Sequence, residues 1–287
     1  MKILIIGGNG FIGFHLAELL SKNNKVIIFD EQINKSKYKN ENIFFVKGNI
    51  LNLSQLRKIM KGIDIVFNFA AVADIDIAAK IPFKAAEINI LGSINIFKAC
   101  IIQNVKKIIH ASTIYVNSNE GNFYAISKRC AEEYLLQFNK NNKLKYTILR
   151  FGSLYGERAD KNNGIERIIN TLVNKKKLIY RGTNKASRKY IYVKDAVEAC
   201  KKAINKEFDN QCFTITGSKM VKIKDIMISL QKRYGIKSIK FLNEKNTSHY
   251  NIKPSPHKMI NSKNYVVKKE TSLMKKIIEL IERKKIK

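Results

Sequence analysis

The sequence predicts an α/β fold in which a doubly wound parallel sheet is covered by helices on both faces and joined to a small lobe. Two observations predict it. Six short apolar runs alternate with longer segments of helical periodicity, and the first run leads directly into a glycine-rich turn. Alternation of this kind is typical of parallel strands joined by crossover helices. The 287 residues suit one large α/β domain, or a domain with a smaller companion.

Each predicted strand is short and rich in β-branched residues, because a strand of a parallel sheet is buried on both faces. The predicted strands are residues 2–6, 25–29, 43–46, 63–69, 106–111 and 145–150. The segments between them show helical periodicity, which predicts helices over 11–22, 54–60, 83–104 and 124–139.

The alternation ends after Arg150. A glycine-containing loop follows, then a helix and two strand-like pieces, at 189–193 and 212–215. We therefore predict a main domain over 1–150 and a smaller lobe over 151–287 that is interleaved with the main sheet.

The lobe is predicted to hold a polar surface loop over 243–258. Residues 271–287 form an amphipathic pattern whose last turn is rich in lysine, which suits the negative end of a helix dipole. We predict a C-terminal helix there.

The composition favours a globular protein without a membrane span. Hydrophobic residues make up 45% of the chain, and no apolar run reaches the roughly 18 residues that a span requires. The four cysteines show no Cys-x-x-Cys spacing, so we interpret them as buried thiols in a reducing compartment and predict a cytoplasmic location.

The net charge of +31 has two interpretations. An anionic partner, such as nucleic acid, a lipid surface or a phosphorylated substrate, would use it. The lysines, however, are scattered rather than gathered with aromatic residues, and the chain is rich in Lys, Ile and Asn together, as AT-rich coding produces. We interpret most of the charge as compositional and do not expect a nucleic-acid partner, although a phosphate-bearing substrate would benefit from it.

The glycine turn predicts a dinucleotide site. Glycine lets the backbone approach a pyrophosphate closely, and the helix that follows presents free N–H groups. Strand 2–6 comes before the turn and a helix after it, which is the context that a Rossmann-type fold requires. The turn reads Gly7-Gly8-Asn9-Gly10-Phe11-Ile12-Gly13.

Asp30 ends the second predicted strand, seventeen residues after Gly13. A carboxylate at this place would bind both ribose hydroxyls of NAD and repel the 2′-phosphate of NADP. No Arg or Lys follows directly. We therefore predict NAD as the cofactor. The alternative interpretation of Asp30 is a turn residue that ends the strand and binds no cofactor.

Tyr124 and Lys128 predict a proton-transfer site. They lie four residues apart at the start of a predicted helix, so both project from one face. Free tyrosine has a pKa of ~10; a nearby ammonium and an oxidised nicotinamide would lower it and make the phenol a useful acid and base. The lysine can also hold the nicotinamide ribose. The alternative is that Tyr124 and Lys128 have this spacing by chance in an ordinary helix.

Several motifs then resemble the extended short-chain dehydrogenase/reductase family, the sugar-nucleotide epimerases and dehydratases. The resemblance covers residues 1 to roughly 200. Besides the glycine turn and Asp30, the matching segments are Asn68-Phe69-Ala70-Ala71, Asn89-x-x-Gly92-Ser93-x-Asn95, Ser112-Thr113-Ile114-Tyr115-Val116-Asn117-Ser118, Arg150-Phe151-Gly152-Ser153-Leu154-Tyr155-Gly156 and Arg188-Lys189-Tyr190-Ile191-Tyr192-Val193-Lys194-Asp195.

The resemblance implies roles for individual residues, with residues 1–150 as an NAD-binding Rossmann domain that carries the catalytic groups. Catalysis would rest on Thr113, Tyr124 and Lys128. Substrate contacts would come from Thr113, Tyr124, Ser153 and Arg188, the last beside the nucleotide diphosphate. Cofactor contacts would come from Gly7, Gly10, Phe11, Ile12, Gly13, Asp30, Asn49, Ile50, Phe69, Ala70, Ala71, Asn89 and Lys128.

Departures from the family pattern narrow the reaction. The family's 4,6-dehydratases carry Asp-Glu after the catalytic Thr, whereas this chain has Ile114-Tyr115; the decarboxylases usually carry Glu where Tyr115 stands. The leading hypothesis is therefore an NAD-dependent epimerase that acts on a nucleotide-activated sugar by transient C4 oxidation and re-reduction. Two alternatives stay open: an NAD(P)-dependent reductase or dehydrogenase of a nucleotide-linked sugar, and a non-catalytic dinucleotide-binding protein with a basic RNA- or partner-binding surface.

Four further expectations complete the prediction. The resemblance implies a homodimer through the helices at 83–104 and 124–139, and a role in polysaccharide precursor synthesis. Asp74 and Asp76 could edge the pocket after the fourth strand, but we interpret them as loop and helix-capping residues. No metal is predicted, because the four histidines do not cluster at metal-ligand spacing; they are His15, His110, His249 and His257.

Overall fold

The computed structural model describes residues 1–38, 40–118, 120–242, 261–267 and 270–285. The loop predicted over 243–258 and the last two residues of the helix predicted over 271–287 lie outside the described residues, as do His249 and His257.

Eight of the described strands begin and end within a few residues of predicted ones. Five short strands were not predicted: Ser153–Tyr155, Leu178–Tyr180, Met220–Lys222, Ile239–Phe241 and Lys263–Asn264. In chain order the described strands are β1 (Lys2–Ile6), β2 (Lys25–Asp30), β3 (Ile43–Lys47), β4 (Ile65–Asn68), β5 (Lys107–Thr113), β6 (Tyr146–Phe151), β7 (Ser153–Tyr155), β8 (Leu178–Tyr180), β9 (Ser187–Tyr192), β10 (Gln211–Ile215), β11 (Met220–Lys222), β12 (Ile239–Phe241) and β13 (Lys263–Asn264).

Three of the described helices were not predicted from the sequence: the short helix after β4 and the helices at Val193–Lys202 and Ile223–Tyr234. In chain order the described helices are α1 (Phe11–Leu20), α2 (Leu53–Ile59), α3 (Ile75–Lys80), α4 (Pro82–Ala86), α5 (Gly92–Ile102), α6 (Asn122–Asn142), α7 (Gly164–Lys175), α8 (Val193–Lys202), α9 (Ile223–Tyr234) and α10 (Leu273–Lys285). Asp74 caps α3 by accepting from the Ile77 N–H at 2.9 Å, which confirms its predicted capping role.

The main sheet has eight strands in the order β13-β10-β6-β5-β4-β1-β2-β3, and every neighbouring pair is parallel. The predicted doubly wound parallel sheet is therefore confirmed. The strand order reverses between β1 and β4: β2 and β3 are added on one side of β1, and the chain then crosses over to place β4 on the other side. In such sheets a ligand crevice lies at the carboxyl ends of the strands beside the reversal.

Both faces of the sheet are buried against helices. Side chains of a strand alternate between faces, and β1 follows this rule: Ile3 and Ile5 belong to the hydrophobic cluster on the side of α1 and α8. Leu4 and Ile6 belong to the cluster on the side of α2 and α5. From Ile3 to Ile6 the strand is apolar because neither face reaches water, whereas Lys2 at its start is exposed.

Residues after 151 build a second cluster and also complete the main sheet. The second cluster packs α7, α9 and α10 around a small sheet of β7, β9 and β11 and the β8–β12 pair. β10 and β13 instead extend the main sheet beyond β6. β6 ends at Phe151, one residue past the predicted boundary, and the division into two domains stays a prediction.

One helical stretch, Pro82–Ile102, is long and apolar enough by length and composition to cross a membrane. It comprises α4, a π-helical turn at Glu87–Leu91 and α5. Its residues Ile96, Phe97 and Cys100 are fully buried against the sheet. This part of the stretch therefore packs as a core helix of the fold.

Candidate functional site

A cavity of about 430 Å³ lies at the carboxyl ends of the central strands, at the predicted place. All three predicted catalytic residues and the predicted phosphate-binding turn line it. We call it the central cavity; its lining residues are Gly7, Gly10, Phe11, Ile12, Gly13, Phe69, Ala71, Ala73, Ile75, Ala111, Ser112, Thr113, Tyr115, Tyr124, Lys128, Phe151, Gly152, Leu154, Asp160 and Asn163.

The glycine turn is built for close approach. Gly7 has φ +75°, and a Cβ there would lie 2.6 Å from the Ala70 nitrogen; a Cβ on Gly13 would lie 2.5 Å from the Gly7 carbonyl oxygen. Gly10 begins α1 without a side-chain cap, so no side chain covers the first N–H groups of the helix. This is the geometry of a phosphate cradle.

Asp30 lines a neighbouring cavity of about 330 Å³, which we call the Asp30 cavity. Its carboxylate accepts from the Asn9 N–H at 3.0 Å and from the Gln32 N–H at 3.1 Å. Asp30 thus fastens the glycine turn to the end of β2 while facing the cavity. The same cavity is lined by the predicted cofactor residues Gly7, Gly10, Ile50, Phe69, Ala70 and Ala71.

Asn49 and Asn89 do not line either cavity. The Asn49 side chain accepts from the Leu51 N–H at 2.8 Å. The Asn89 amide accepts from the Val72 N–H at 2.8 Å and donates to the Val72 carbonyl and to Ser127 Oγ at 2.9 Å. Since Ser127 Oγ donates to the Tyr124 carbonyl, Asn89 ties the loop after β4 to the start of α6. Their direct contact with a cofactor stays a prediction.

Thr113 and Tyr124 are brought together by the end of β5 and the start of α6. Thr113 Oγ1 accepts from the Tyr115 N–H at 3.3 Å, and the Thr113 hydroxyl hydrogen-bonds the Tyr124 phenol. Burial raises the pKa of Tyr124 to about 12, partly offset by the Thr113 hydrogen bond. The lowered tyrosine pKa that the sequence predicts is therefore not produced by the protein groups, because desolvation of the phenolate outweighs them.

Lys128 is only 3% exposed and lies one helical turn after Tyr124. Burial lowers the pKa of its ammonium to about 8, and the Glu132 charge opposes this change. Glu132 in turn pairs with Arg150 of β6: Nε to Oε1 is 2.9 Å and Nη2 to Oε2 is 2.5 Å. The third guanidinium nitrogen of Arg150 donates to Asn117 Oδ1 at 3.0 Å, so one buried pair joins β6, α6 and the turn after Thr113.

The buried ammonium of Lys128 makes a prediction about stability. Its pKa is about 8 in the folded chain and 10.5 for the free side chain, so the unfolded chain binds more protons between these pH values. The charged lysine then lowers the free energy of unfolding below pH 8, by about 1–3 kcal/mol. We expect Lys128→Met to be more stable than wild type at pH 7, with a gap that shrinks as the pH rises from 8 to 10.5.

Urea unfolding of both proteins at pH 7, 8.5 and 10 measures this gap. Lys140→Met is the matched control, because Lys140 is exposed on the same helix. A Lys128→Met protein that is less stable than wild type at pH 7, or a gap that does not change with pH, contradicts the prediction.

A second, larger cavity of about 730 Å³ adjoins the central one and is lined by Asp76 of α3 and by residues after β6. It holds the predicted substrate residues Ser153 and Arg188, so we call it the Arg188 cavity. Leu154 and Asn163 line both cavities and mark where they meet. Ser153 and Arg188 therefore face one space, while Thr113 and Tyr124 face the adjoining one.

Several lining residues were not singled out from the sequence. Ser112 Oγ is buried without a hydrogen-bond partner and lines the central cavity; its place beside Thr113 could have signalled this. Asp160 and Asn163 reach the cavity from the loop before α7, and only the tertiary fold brings them there. Tyr115 also lines the cavity; from the sequence it was notable only because it stands where dehydratases and decarboxylases of the family carry Glu.

The two histidines in the described part of the chain, His15 and His110, lie within hydrogen-bond distance of other protein groups. His110 Nδ1 lies 3.2 Å from Asn68 Nδ2, and burial, together with the Lys128 charge, holds the pKa of His110 well below its usual value. His15 Nε2 lies 2.8 Å from the Glu157 carbonyl. Among the described residues, no three His, Cys, Asp or Glu side chains are grouped where they could hold a metal ion. The four cysteines are unpaired.

Comparison with known proteins agrees with this architecture. The model of the NAD dependent epimerase/dehydratase family matches residues 3–215. A dTDP-D-glucose 4,6-dehydratase of Dictyostelium discoideum is 36% identical over 69% of this chain, and the match spans about half (54%) of that relative's length. A putative UDP-glucose 4-epimerase of Methanocaldococcus jannaschii is 28% identical over 82% of this chain and 83% of its own.

Among solved structures, UDP-glucose 4-epimerase from Thermotoga maritima with UDP-glucose superposes with a TM-score of 0.83. It is 26% identical and covers 100% of both chains. The likeness therefore includes the residues after β6 as well as the main sheet.

Proposed function

The chain belongs to the NAD-dependent epimerase/dehydratase family, and we propose that it is a 4-epimerase of a nucleotide-activated sugar. One observation carries the proposal. Thr113, Tyr124 and Lys128 face the same cavity as the glycine turn, while Ile114 and Tyr115 follow Thr113 where a dehydratase would need an acid and a base. A site with these groups can move one hydroxyl proton and needs no further acid to complete an epimerisation.

NAD is the cofactor of this family, and the residues present fit it. The Gly7–Gly13 turn would hold the pyrophosphate, Asp30 the adenosine ribose and Lys128 the nicotinamide ribose. The buried, unpartnered Ser112 hydroxyl faces the cavity in which the nicotinamide would lie. When bound, NAD would take the hydride from C4 of the sugar and return it to the opposite face of the ketone.

Side chains of the protein would transfer the proton of the sugar 4-hydroxyl. Tyr124 would accept the proton of the sugar 4-hydroxyl as the hydride leaves, and donate it back when the hydride returns. Thr113 would orient the hydroxyl, because its own side chain already hydrogen-bonds Tyr124. The positive charge of Lys128 favours the phenolate electrostatically, and the charge of an oxidised nicotinamide would add to this. Together they would lower a pKa that burial alone raises to about 12.

A 4,6-dehydratase is the second candidate, because the Dictyostelium relative is a dehydratase. Against it, the two residues directly after Thr113 are Ile114 and Tyr115 and carry no carboxylate. Among the described residues that line the central cavity, Asp160 is the one carboxylate, and its Oδ1 accepts from the Asn162 and Asn163 N–H groups at 2.7 and 3.0 Å. Elimination of water needs a second acid and base that this lining does not supply.

The proposal is tested with a panel of UDP-, GDP- and dTDP-sugars. Products are separated by chromatography while NADH absorbance is recorded. An epimerase gives a new epimer without net NADH; a reductase or dehydrogenase changes NADH in proportion to product. If NAD binds and no sugar on the panel reacts, the proposed epimerase function is contradicted for these nucleotides, and the non-catalytic hypothesis is favoured. Salt-sensitive RNA binding that persists in Tyr124→Phe would support that hypothesis.

Asp30 should set the choice between NAD and NADP. Asp30→Asn keeps an oxygen that can accept from the Asn9 N–H but removes the charge that repels a 2′-phosphate. We expect the ratio of NAD to NADP affinity to fall by about ten- to a hundredfold, since one unit of charge at close range is worth a few kcal/mol at most. Fluorescence titration with both cofactors measures it. Glu31→Gln is the control, because Glu31 lines the same cavity; an unchanged ratio in Asp30→Asn contradicts the assignment.

We also propose a homodimer through α4, α5 and α6. These helices pack against one another and leave large apolar side chains exposed: Phe83 is 79% exposed, Leu91 54%, Phe123 44% and Ile126 56%. Phe123 and Ile126 are three residues apart and share one face of α6. Exposed apolar groups on adjoining helices favour association, because burial removes them from water.

Ile126→Asp should therefore convert a dimer to a monomer at micromolar concentration. A buried unpaired carboxylate at the interface would oppose association. Sedimentation velocity of wild type, Ile126→Asp and the control Met220→Asp measures this; Met220 is 61% exposed on β11, away from these helices. A wild-type monomer, or an Ile126→Asp dimer, contradicts the proposed interface.

A further inference from the structure

The charges that face the two adjoining cavities differ sharply. Among the described residues that line the Arg188 cavity, five are cationic and one, Asp76, is acidic. In the central cavity, among the described residues that line it, Lys128 is the one cation and Asp160 the one anion. The five cationic residues of the Arg188 cavity are Lys161, Arg167, Lys175, Arg181 and Arg188.

The two cavities would receive different parts of the substrate. The reacting C4 must lie beside Thr113 and Tyr124, so the sugar ring lies in the central cavity. The diphosphate is the anionic part of a sugar nucleotide, and the cationic Arg188 cavity begins where the central cavity ends. The sugar would therefore meet little positive charge and the diphosphate a large excess of it.

The two residues that line both cavities, Leu154 and Asn163, are neutral, and the Asn163 side chain is fixed. Asn163 donates to the Leu154 carbonyl at 2.8 Å, and its Oδ1 accepts from the Ile165 and Glu166 N–H groups at the start of α7. Both ends of its amide are thus held by backbone groups. Asp160 precedes it in the same loop and is fixed by its bonds to the Asn162 and Asn163 N–H groups.

We propose that the sugar of the substrate is uncharged and that Asp160 excludes sugars that carry a carboxylate. The inference rests on the proposed epimerase function and names its substrate class. A glycuronate in the central cavity would bring a second carboxylate into the space that Asp160 lines. Lys128, the cation there, is committed to Tyr124 and the nicotinamide ribose. A desolvated carboxylate without a dedicated cation is disfavoured, and like charges in one site repel.

The test compares kcat/KM for epimerisation of a neutral hexose and of the corresponding glycuronate on the same nucleotide. UDP-glucose, UDP-N-acetylglucosamine and UDP-glucuronate form the set; if the panel selects another nucleotide, the matching sugars on that nucleotide replace them. We expect wild type to favour a neutral sugar by about tenfold or more, and Asp160→Asn to reduce this preference by about two- to fivefold, because Asp160 is exposed and water screens the charge that is removed. The asparagine keeps the oxygen that accepts from the loop N–H groups.

Asp76→Asn is the matched control, since Asp76 faces the cationic cavity; it should change kcat/KM for both sugars alike and leave their ratio as in wild type. A wild-type enzyme that epimerises the glycuronate as well as the neutral sugars, or better, overturns the inference and leaves the epimerase function standing. An unchanged ratio in Asp160→Asn overturns the role of Asp160. If neither class of sugar is epimerised, the proposed function fails, and this inference fails with it.

Discussion

Tyr124→Phe should lower the turnover number for epimerisation by about 10²- to 10⁴-fold, the usual contribution of a positioned acid–base group. The substitution removes the phenol that Thr113 hydrogen-bonds and leaves the ring in place. NAD binding should persist, because the glycine turn and Asp30 are untouched. Steady-state kinetics with the sugar identified on the panel, together with a titration of NAD, measure both quantities.

Two controls separate chemistry from folding. Tyr134→Phe removes a phenol from the exposed face of the same helix and should leave the turnover number within about twofold, since exposed substitutions rarely exceed ±0.5 kcal/mol. Tyr115→Phe asks whether the other phenol of the cavity can serve. Retention of a tenth or more of the turnover by Tyr124→Phe contradicts the assignment of this residue as acid and base.

Glu132→Ala should lower the free energy of unfolding by about 3–5 kcal/mol, the cost of removing one partner from a buried ion pair. Arg150 and Glu132 are both fully buried. Without Glu132, the guanidinium would keep its bond to Asn117 but lose its counter-charge in an apolar interior. Urea unfolding at pH 7 measures the change.

Glu133→Ala is the matched control, because Glu133 is the exposed neighbour of Glu132 on the same helix. We expect it to stay within about 0.5 kcal/mol of wild type. A Glu132→Ala protein within 1 kcal/mol of wild type would show that water reaches this pair. The result matters for the site, since the pair joins the helix of Tyr124 and Lys128 to the turn that follows Thr113.

The sequence predicted the elements whose signals are local. The glycine turn needs strand β1 before it and helix α1 after it, so its position was readable from a few residues. Tyr124 and Lys128 share a helix, and their spacing alone places them on one face. The apolar runs of β1 to β6 were readable because a buried parallel strand shows almost no polar residues.

What the sequence could not show depends on contacts between distant parts of the chain. The pairing of β10 and β13 with the main sheet, sixty or more residues after β6, leaves no local pattern. Asp160 and Asn163 reach the central cavity only because the loop before α7 folds back over the sheet. The π-helical turn inside the predicted helix 83–104 turns Asn89 toward Val72 and Ser127, a role that spacing does not reveal.

The prediction of the tyrosine pKa shows a different limit. The motif predicted that Lys128 and an oxidised nicotinamide would lower the pKa of Tyr124. It gave neither the burial that raises this pKa to about 12 nor the Thr113 hydrogen bond that partly offsets the burial. Burial is a property of the folded site, so the balance between desolvation and nearby charges could be judged only once Thr113 and Tyr115 were placed around the phenol.

Transient oxidation at C4 is tested most directly by following a label at that carbon. The enzyme is given the accepted sugar nucleotide with deuterium at C4, and the product is examined by mass spectrometry and NMR. The account predicts an epimer of unchanged mass that keeps the deuterium at C4, because the same hydride leaves and returns. A product lighter by one water, or an epimer without deuterium at C4, would contradict it.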